Sequence, residues 1–123
     1  MKKILITIFT LLSFNCYAVE KNTTFTIESF NKAQSEGKTV IINSWNKTCS
    51  TCARQVKILD EAEKKYPNIL FLSFEQQKDK KIAKFLGIEY WTTIVIYKDN
   101  KEVYRSIGQT DKSKIYLAIT DII

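Results

Sequence analysis

The sequence predicts an α/β fold, a central mixed β-sheet flanked by helices, and three observations carry that expectation. Apolar runs of strand length alternate with segments of helical periodicity. The runs are nearly continuous rather than alternating, as in strands covered on both faces. The last two strand candidates are separated only by turn residues, so they return on each other and make the sheet mixed.

In chain order, "IESFNKAQSE" (residues 27–36) reads as a short helix with Phe30 and Ala33 on one face, stopped by Gly37. "TVIINSW" follows as a buried strand. From Cys49 to about Tyr66 the pattern turns helical, with Val56, Leu59 and Ala62 on one apolar stripe, and Pro67-Asn68 ends it. "NILFLSF" is the second strand. "DKKIAKFLG" is a short helix with Ile82, Phe85 and Leu86 on one side, and "TTIVIY" is the third strand. "KDNK" supplies the turn into "EVYRSI". A last helix starts near Asp111, with Ile115, Ala118, Ile119 and Ile122 at i, i+3, i+4 and i+7.

The bulk numbers fit one domain: 123 residues, 45% hydrophobic and 26% charged, with three glycines and one proline. The N-terminal segment differs. A positive "MKK", an apolar stretch of eleven residues and "CYA" have the order of a secretory signal peptide, cleaved after Ala18. The stretch falls short of the roughly 20 residues a membrane-spanning helix needs. Phe14 and Asn15 before Cys16 argue against a lipoprotein. The expected division is a signal peptide over 1–18 and one domain over 19–123, with no stable membrane insertion after cleavage. Without Lys2 and Lys3 the mature chain carries 17 basic and 13 acidic residues, a net +4. That excess is spread along the chain, as on a solvated surface rather than a nucleic-acid-binding face.

Cleavage also removes Cys16, leaving Cys49 and Cys52 three apart where a strand gives way to a helix. In an exported protein such a pair sits where disulfides persist. If the helix starts at Cys49, its thiol lies by the unpaired N–H groups of the first turn, where the helix dipole favours a thiolate and lowers the pKa. Cys52, one turn inside, is the more buried and less ionised of the two. Cys49 is then the attacking sulfur and Cys52 the resolving one. A structural zinc site needs four ligands, and the chain has no histidine and, once processed, no third cysteine. An inert staple across so short a loop removes little chain entropy. Redox activity is the reading that suits the pair.

At this point the sequence resembles thioredoxin, over essentially all of residues 19–123. Trp45 stands four residues before Cys49, "ILDEA" (58–62) looks like the continuation of an active-site helix, and "GIEYWTTIVIYKDNKE" from Gly87 is similar to the loop, strand and turn beside the thiols. The resemblance implies a thioredoxin-like fold and a redox-active Cys49–Cys52 disulfide. It also implies that Trp45, Thr48, Tyr90, Trp91 and Thr92 are the candidate substrate-binding residues, with Tyr90 and Trp91 as an apolar platform and Trp45 steadying the active-site turn. No cofactor or metal is implied.

The departures are specific. Thr48 replaces a second tryptophan, Ser50-Thr51 replace Gly-Pro, and Lys57 replaces a helix-kinking proline. Asn43 stands where the family has a buried aspartate, and an amide takes no proton at working pH. Thr92 replaces the cis-proline. A cis bond before a non-proline residue costs about 2.5–4 kcal/mol, so a trans Trp91–Thr92 peptide and a reshaped loop are expected.

The expected function is an exported, periplasmic, monomeric thiol–disulfide oxidoreductase acting on protein thiols and disulfides. With 105 mature residues and no inserted domain, it reads as a reductase supplied by a membrane electron donor rather than an oxidase. The alternatives are a non-catalytic thioredoxin-like binding module, favoured by Asn43 and Thr92, and a thiol metal carrier.

Overall fold

The computed structural model describes Val19 and residues 21–123. The expected signal segment and Cys16 lie outside the described residues. The elements are α1 (Ile27–Ser35), β1 (Val40–Trp45), α2 (Ser50–Lys65), β2 (Leu70–Glu75), α3 (Lys80–Leu86), β3 (Thr93–Lys98), β4 (Lys101–Ile107) and α4 (Lys112–Thr120), in the predicted order. They form one four-stranded mixed sheet of order β2-β1-β3-β4. β1 pairs parallel with β2 and antiparallel with β3, and β3 with β4 antiparallel.

β1 is buried along its whole length, and its pleat sorts the core into two halves. Val40 and Ile42 join Leu72, Phe74, Val95, Phe30 and Leu86 on the face that α1 and α3 cover. Ile41 joins Ile94, Ile96, Leu59, Ala62, Ile115 and Ile119 on the face that α2 and α4 cover. A strand with helices on both faces must be apolar throughout, which is why "TVIINSW" does not alternate.

The ends of the elements follow local chemistry. Thr26 caps α1 by accepting from the Ser29 N–H, and Asp111 caps α4 by accepting from the Lys114 N–H. Asp99 and Asn100, at φ +52° and +61°, make the tight turn from β3 to β4. Gly87, at φ +62°, ends α3 in the left-handed conformation that spares glycine a Cβ clash.

Three expectations need correction in detail. Cys49 is the N-cap of α2 rather than its first helical residue. On α3 the buried pair is Ala83 and Leu86, whereas Phe85 is half exposed, its ring 6.2 Å from that of Phe25 at the rim of the core. Seven residues make only two turns, so a small rotation decides which apolar side chain faces the sheet. α4 stops at Thr120, leaving Ile122 beyond the helix.

Candidate active site

β1 ends at Trp45, and the chain turns through Asn46 to Thr48 before α2. The Asn46 side-chain oxygen accepts from the Thr48 N–H (3.0 Å) and hydroxyl (2.9 Å), closing the turn. This presents Cys49 at the helix N-terminus, where its sulfur accepts from the Cys52 N–H at 3.1 Å. Cys49 and Cys52 are joined in a disulfide with Cα atoms 5.2 Å apart. Cys49 is partly exposed, whereas Cys52 is 0% exposed, packed with Val19, Trp45 and Val56. The asymmetry comes from helix geometry: the cap residue stays at the mouth, and the residue three further on turns toward the sheet.

The loop before β3 lies against the disulfide. No peptide among the described residues is cis, so the Trp91–Thr92 bond is trans as predicted. Thr92 instead takes φ +55°, a conformation costing a β-branched residue about 1–3 kcal/mol. The surroundings hold it there. The Thr92 N–H donates to the Ser44 carbonyl (2.9 Å), and its carbonyl accepts from the Gly108 N–H (2.8 Å) and from Gln55 Nε2 (3.1 Å). Gln55 Nε2 also donates to the Gln109 carbonyl (2.9 Å), so one fully buried amide ties this loop to the segment after β4. Ser44 adds a bond from its hydroxyl to the Tyr90 carbonyl (2.6 Å). The result places Thr92 Oγ1 3.1 Å from Cys52 Sγ and 3.5 Å from Cys49 Sγ.

Around the exposed side of Cys49 runs an open groove of about 590 Å³. Of the candidate substrate-binding residues, Thr48, Tyr90, Trp91 and Thr92 line it. Tyr90 is 58% and Trp91 39% exposed, and Ile107 extends the apolar surface from β4 at 59%. Trp45 does not line the groove: β1 turns its indole inward, to 2% exposure beneath the disulfide.

Ser50 and Thr51 of the motif also line the groove, as do Glu89, Ile107 and Gly108, which sequence reasoning did not single out. Ile107 arrives there because it pairs with Thr93 in the β3–β4 register, and nothing local announces that. Gln55 did leave a signal, a polar residue on the buried stripe of α2 three positions after Cys52.

Asn43 is buried on the α2 face of β1, and its Nδ2 has no hydrogen-bond partner among the described residues. It borders a small cavity of about 60 Å³ shared with Lys21, Leu59 and Glu63.

A parallel-then-antiparallel sheet of this order, with a disulfide at the mouth of the helix that follows its central strand, defines a thiol–disulfide oxidoreductase of the thioredoxin fold. The thioredoxin family model matches residues 21–121. A thioredoxin H-type of Fagopyrum esculentum is 30% identical over 81 residues, covering 66% of this chain and 70% of that protein. Thioredoxin H-type 1 of Nicotiana tabacum is 30% identical over 95 residues, covering 77% and 72%. Among solved structures, Trxlp from Edwardsiella tarda superposes with a TM-score of 0.70 at 23% identity, covering 80% of this chain and 93% of that one. Fasciola hepatica thioredoxin gives 0.68 at 22% identity, covering 76% and 91%. The chain belongs to the thioredoxin family and is a thiol–disulfide oxidoreductase.

Proposed function

We propose that the protein is an exported, monomeric reductase of protein disulfides in the periplasm, recharged by a membrane-bound dithiol donor. The observation that carries the reading is the unequal burial of a disulfide-linked pair at the N-terminus of α2, with an apolar groove beside the exposed sulfur.

In the reduced protein the Cys49 thiolate attacks one sulfur of a substrate disulfide. A Cys49–substrate bond forms, and the other substrate sulfur leaves as a thiolate and takes up a proton. Cys52, after losing its proton, then attacks Cys49 Sγ and releases the second substrate thiol. Two electrons pass to the substrate, and the Cys49–Cys52 disulfide remains for the donor dithiol to reduce. Amide dipoles at the mouth of α2, with the Cys52 N–H foremost, favour the Cys49 thiolate. Tyr90, Trp91 and Ile107 offer apolar and aromatic surface for an extended substrate segment. The reductive direction is supported by economy of build: among the described residues the chain passes from element to element through short connections, with no inserted domain.

The test is insulin-disulfide reduction with dithiothreitol, comparing wild type with Cys49→Ser. The expected result is loss of catalysis in the variant; equal rates would point to the binding module instead. Trapping with Cys52→Ser in the periplasm should leave partners covalently attached at Cys49. N-terminal sequencing of the protein from that compartment should begin at Val19, and an intact Met1 would overturn export by cleavage.

A further inference from the structure

We propose that the Thr92 hydroxyl is a catalytic hydrogen-bond donor to the Cys52 sulfur, stabilising it as the thiolate that resolves the mixed disulfide, and that Gln55 is the positioning residue that aims it. The proposal deepens the reading above and rests on Cys52 being the resolving sulfur.

The need for such a group is set by where Cys52 lies. Its packing neighbours Val19, Trp45, Val56 and Ala53 carry no charge, and in the disulfide-bonded protein the side chain is fully buried. A bare thiolate there is disfavoured by desolvation. Asn43 supplies no carboxylate on that side of the sheet, and among the described residues Glu89 is the one carboxylate lining the groove. Among the described residues, Thr92 Oγ1, at 3.1 Å from Cys52 Sγ, is the polar side-chain atom that reaches the sulfur directly. A threonine hydroxyl is far too weak a base to keep the proton, but it is a donor with a freely rotating hydrogen. A donor to the charged form of a buried acid lowers that acid's pKa.

The placement is built rather than incidental. Thr92 is 4% exposed and held at φ +55° against its own preference. Three backbone-directed hydrogen bonds lock it, one of them from the buried Gln55 amide. The amide's orientation is fixed because Nε2 faces two carbonyls at once, those of Thr92 and Gln109. Without that clamp the loop relaxes toward ordinary backbone angles and Oγ1 leaves the sulfur.

In the step concerned, Cys52 gives its proton to water. Its thiolate, held by the Thr92 O–H, forms the Cys52–Cys49 bond. The Cys49–substrate bond breaks, and the substrate sulfur departs with the electron pair and takes up a proton from water. Stabilising the thiolate increases the fraction of Cys52 ready to attack near neutral pH.

The test titrates Cys52 by thiolate absorbance in a Cys49→Ala background and measures release of a mixed disulfide by stopped flow in the intact pair. Thr92→Val should raise the Cys52 pKa by about one unit and slow release about tenfold, while Thr92→Ser restores most of both. Gln55→Met should shift both in the same direction, with no further shift when added to Thr92→Val. Unchanged titration in Thr92→Val, or failure of Thr92→Ser to restore it, would overturn the proposal. If Thr92→Val does not fold, Thr92→Ala against Thr92→Ser makes the same comparison. The titration needs no substrate, so an inactive wild type in the insulin assay would sink the reductase reading and leave the role of Thr92 to be decided separately.

Discussion

The backbone N–H of Cys52 points at the sulfur of Cys49 from 3.1 Å. Because that donor belongs to the open end of α2, the reduced Cys49 is expected to ionise more readily than a free thiol. Limited alkylation of the reduced protein at neutral pH, followed by peptide mass spectrometry, should find Cys49 modified well before Cys52. Modification in the opposite order would reassign the nucleophile.

Asn43 occupies a buried site where its amide nitrogen is unpaired among the described residues. An aspartate there would be pushed toward neutrality by burial and would alternate between proton donor and acceptor near working pH. Asn43→Asp is therefore expected to speed release of substrate from the mixed disulfide. It should also lower stability at neutral pH by about 1–3 kcal/mol, since an unpaired buried acceptor must be desolvated. Stopped-flow release and urea unfolding read the two effects; slower or unchanged release would deny Asn43 any influence on Cys52.

Restoring proline at position 92 is expected to harm this protein. The ring requires φ near −65°, whereas Thr92 sits at +55°, and the substitution deletes the N–H that bonds the Ser44 carbonyl. Thr92→Pro should lose more than about 1 kcal/mol in urea unfolding. A variant as stable as wild type would show that the loop can refold around proline.

Trp91 and Tyr90 project from the loop into the groove. Trp91→Ala should raise KM for a protein disulfide several-fold and leave reduction of a small aromatic disulfide nearly unchanged, because only the longer substrate crosses the apolar surface. Equal effects on both substrates would place Trp91 in the packing of the loop instead.

Arg105 on β4 grips Glu102 through two bonds (2.6 and 3.0 Å) and donates to the Leu86 and Gly87 carbonyls (both 3.1 Å) at the end of α3. Hydrogen bonding to the guanidinium holds the Glu102 carboxyl below its ordinary range, against a smaller opposing effect of burial. A depressed carboxylate contributes stability that is present above its unfolded pKa, about 4.3, and is lost as pH falls through the folded value. Being partly exposed, the pair is worth less than about 1 kcal/mol. Urea midpoints at pH 7 and pH 3 should therefore fall less for Glu102→Gln than for wild type. An identical fall would mean that the carboxylate is equally ionised in both states.

Much of this molecule was legible in one dimension. The unbroken apolar run around Ile41 and Ile42 announced a strand buried on both faces, and "KDNK" announced its hairpin. Cys49 and Cys52 announced their chemistry because the spacing of one helical turn is local. Even the trans peptide before Thr92 followed from the covalent preference of a non-proline residue. What only the tertiary structure decided was how distant segments converge: Thr92 from the loop before β3 and Ile107 from β4 meet beside one disulfide, and Gln55 from α2 holds the Thr92 carbonyl. Strand register and loop closure determine those meetings, and both depend on contacts between residues roughly 40 to 55 positions apart that no local pattern encodes. The same holds for Trp45, whose inward turn depends on which face of β1 the helix α2 covers.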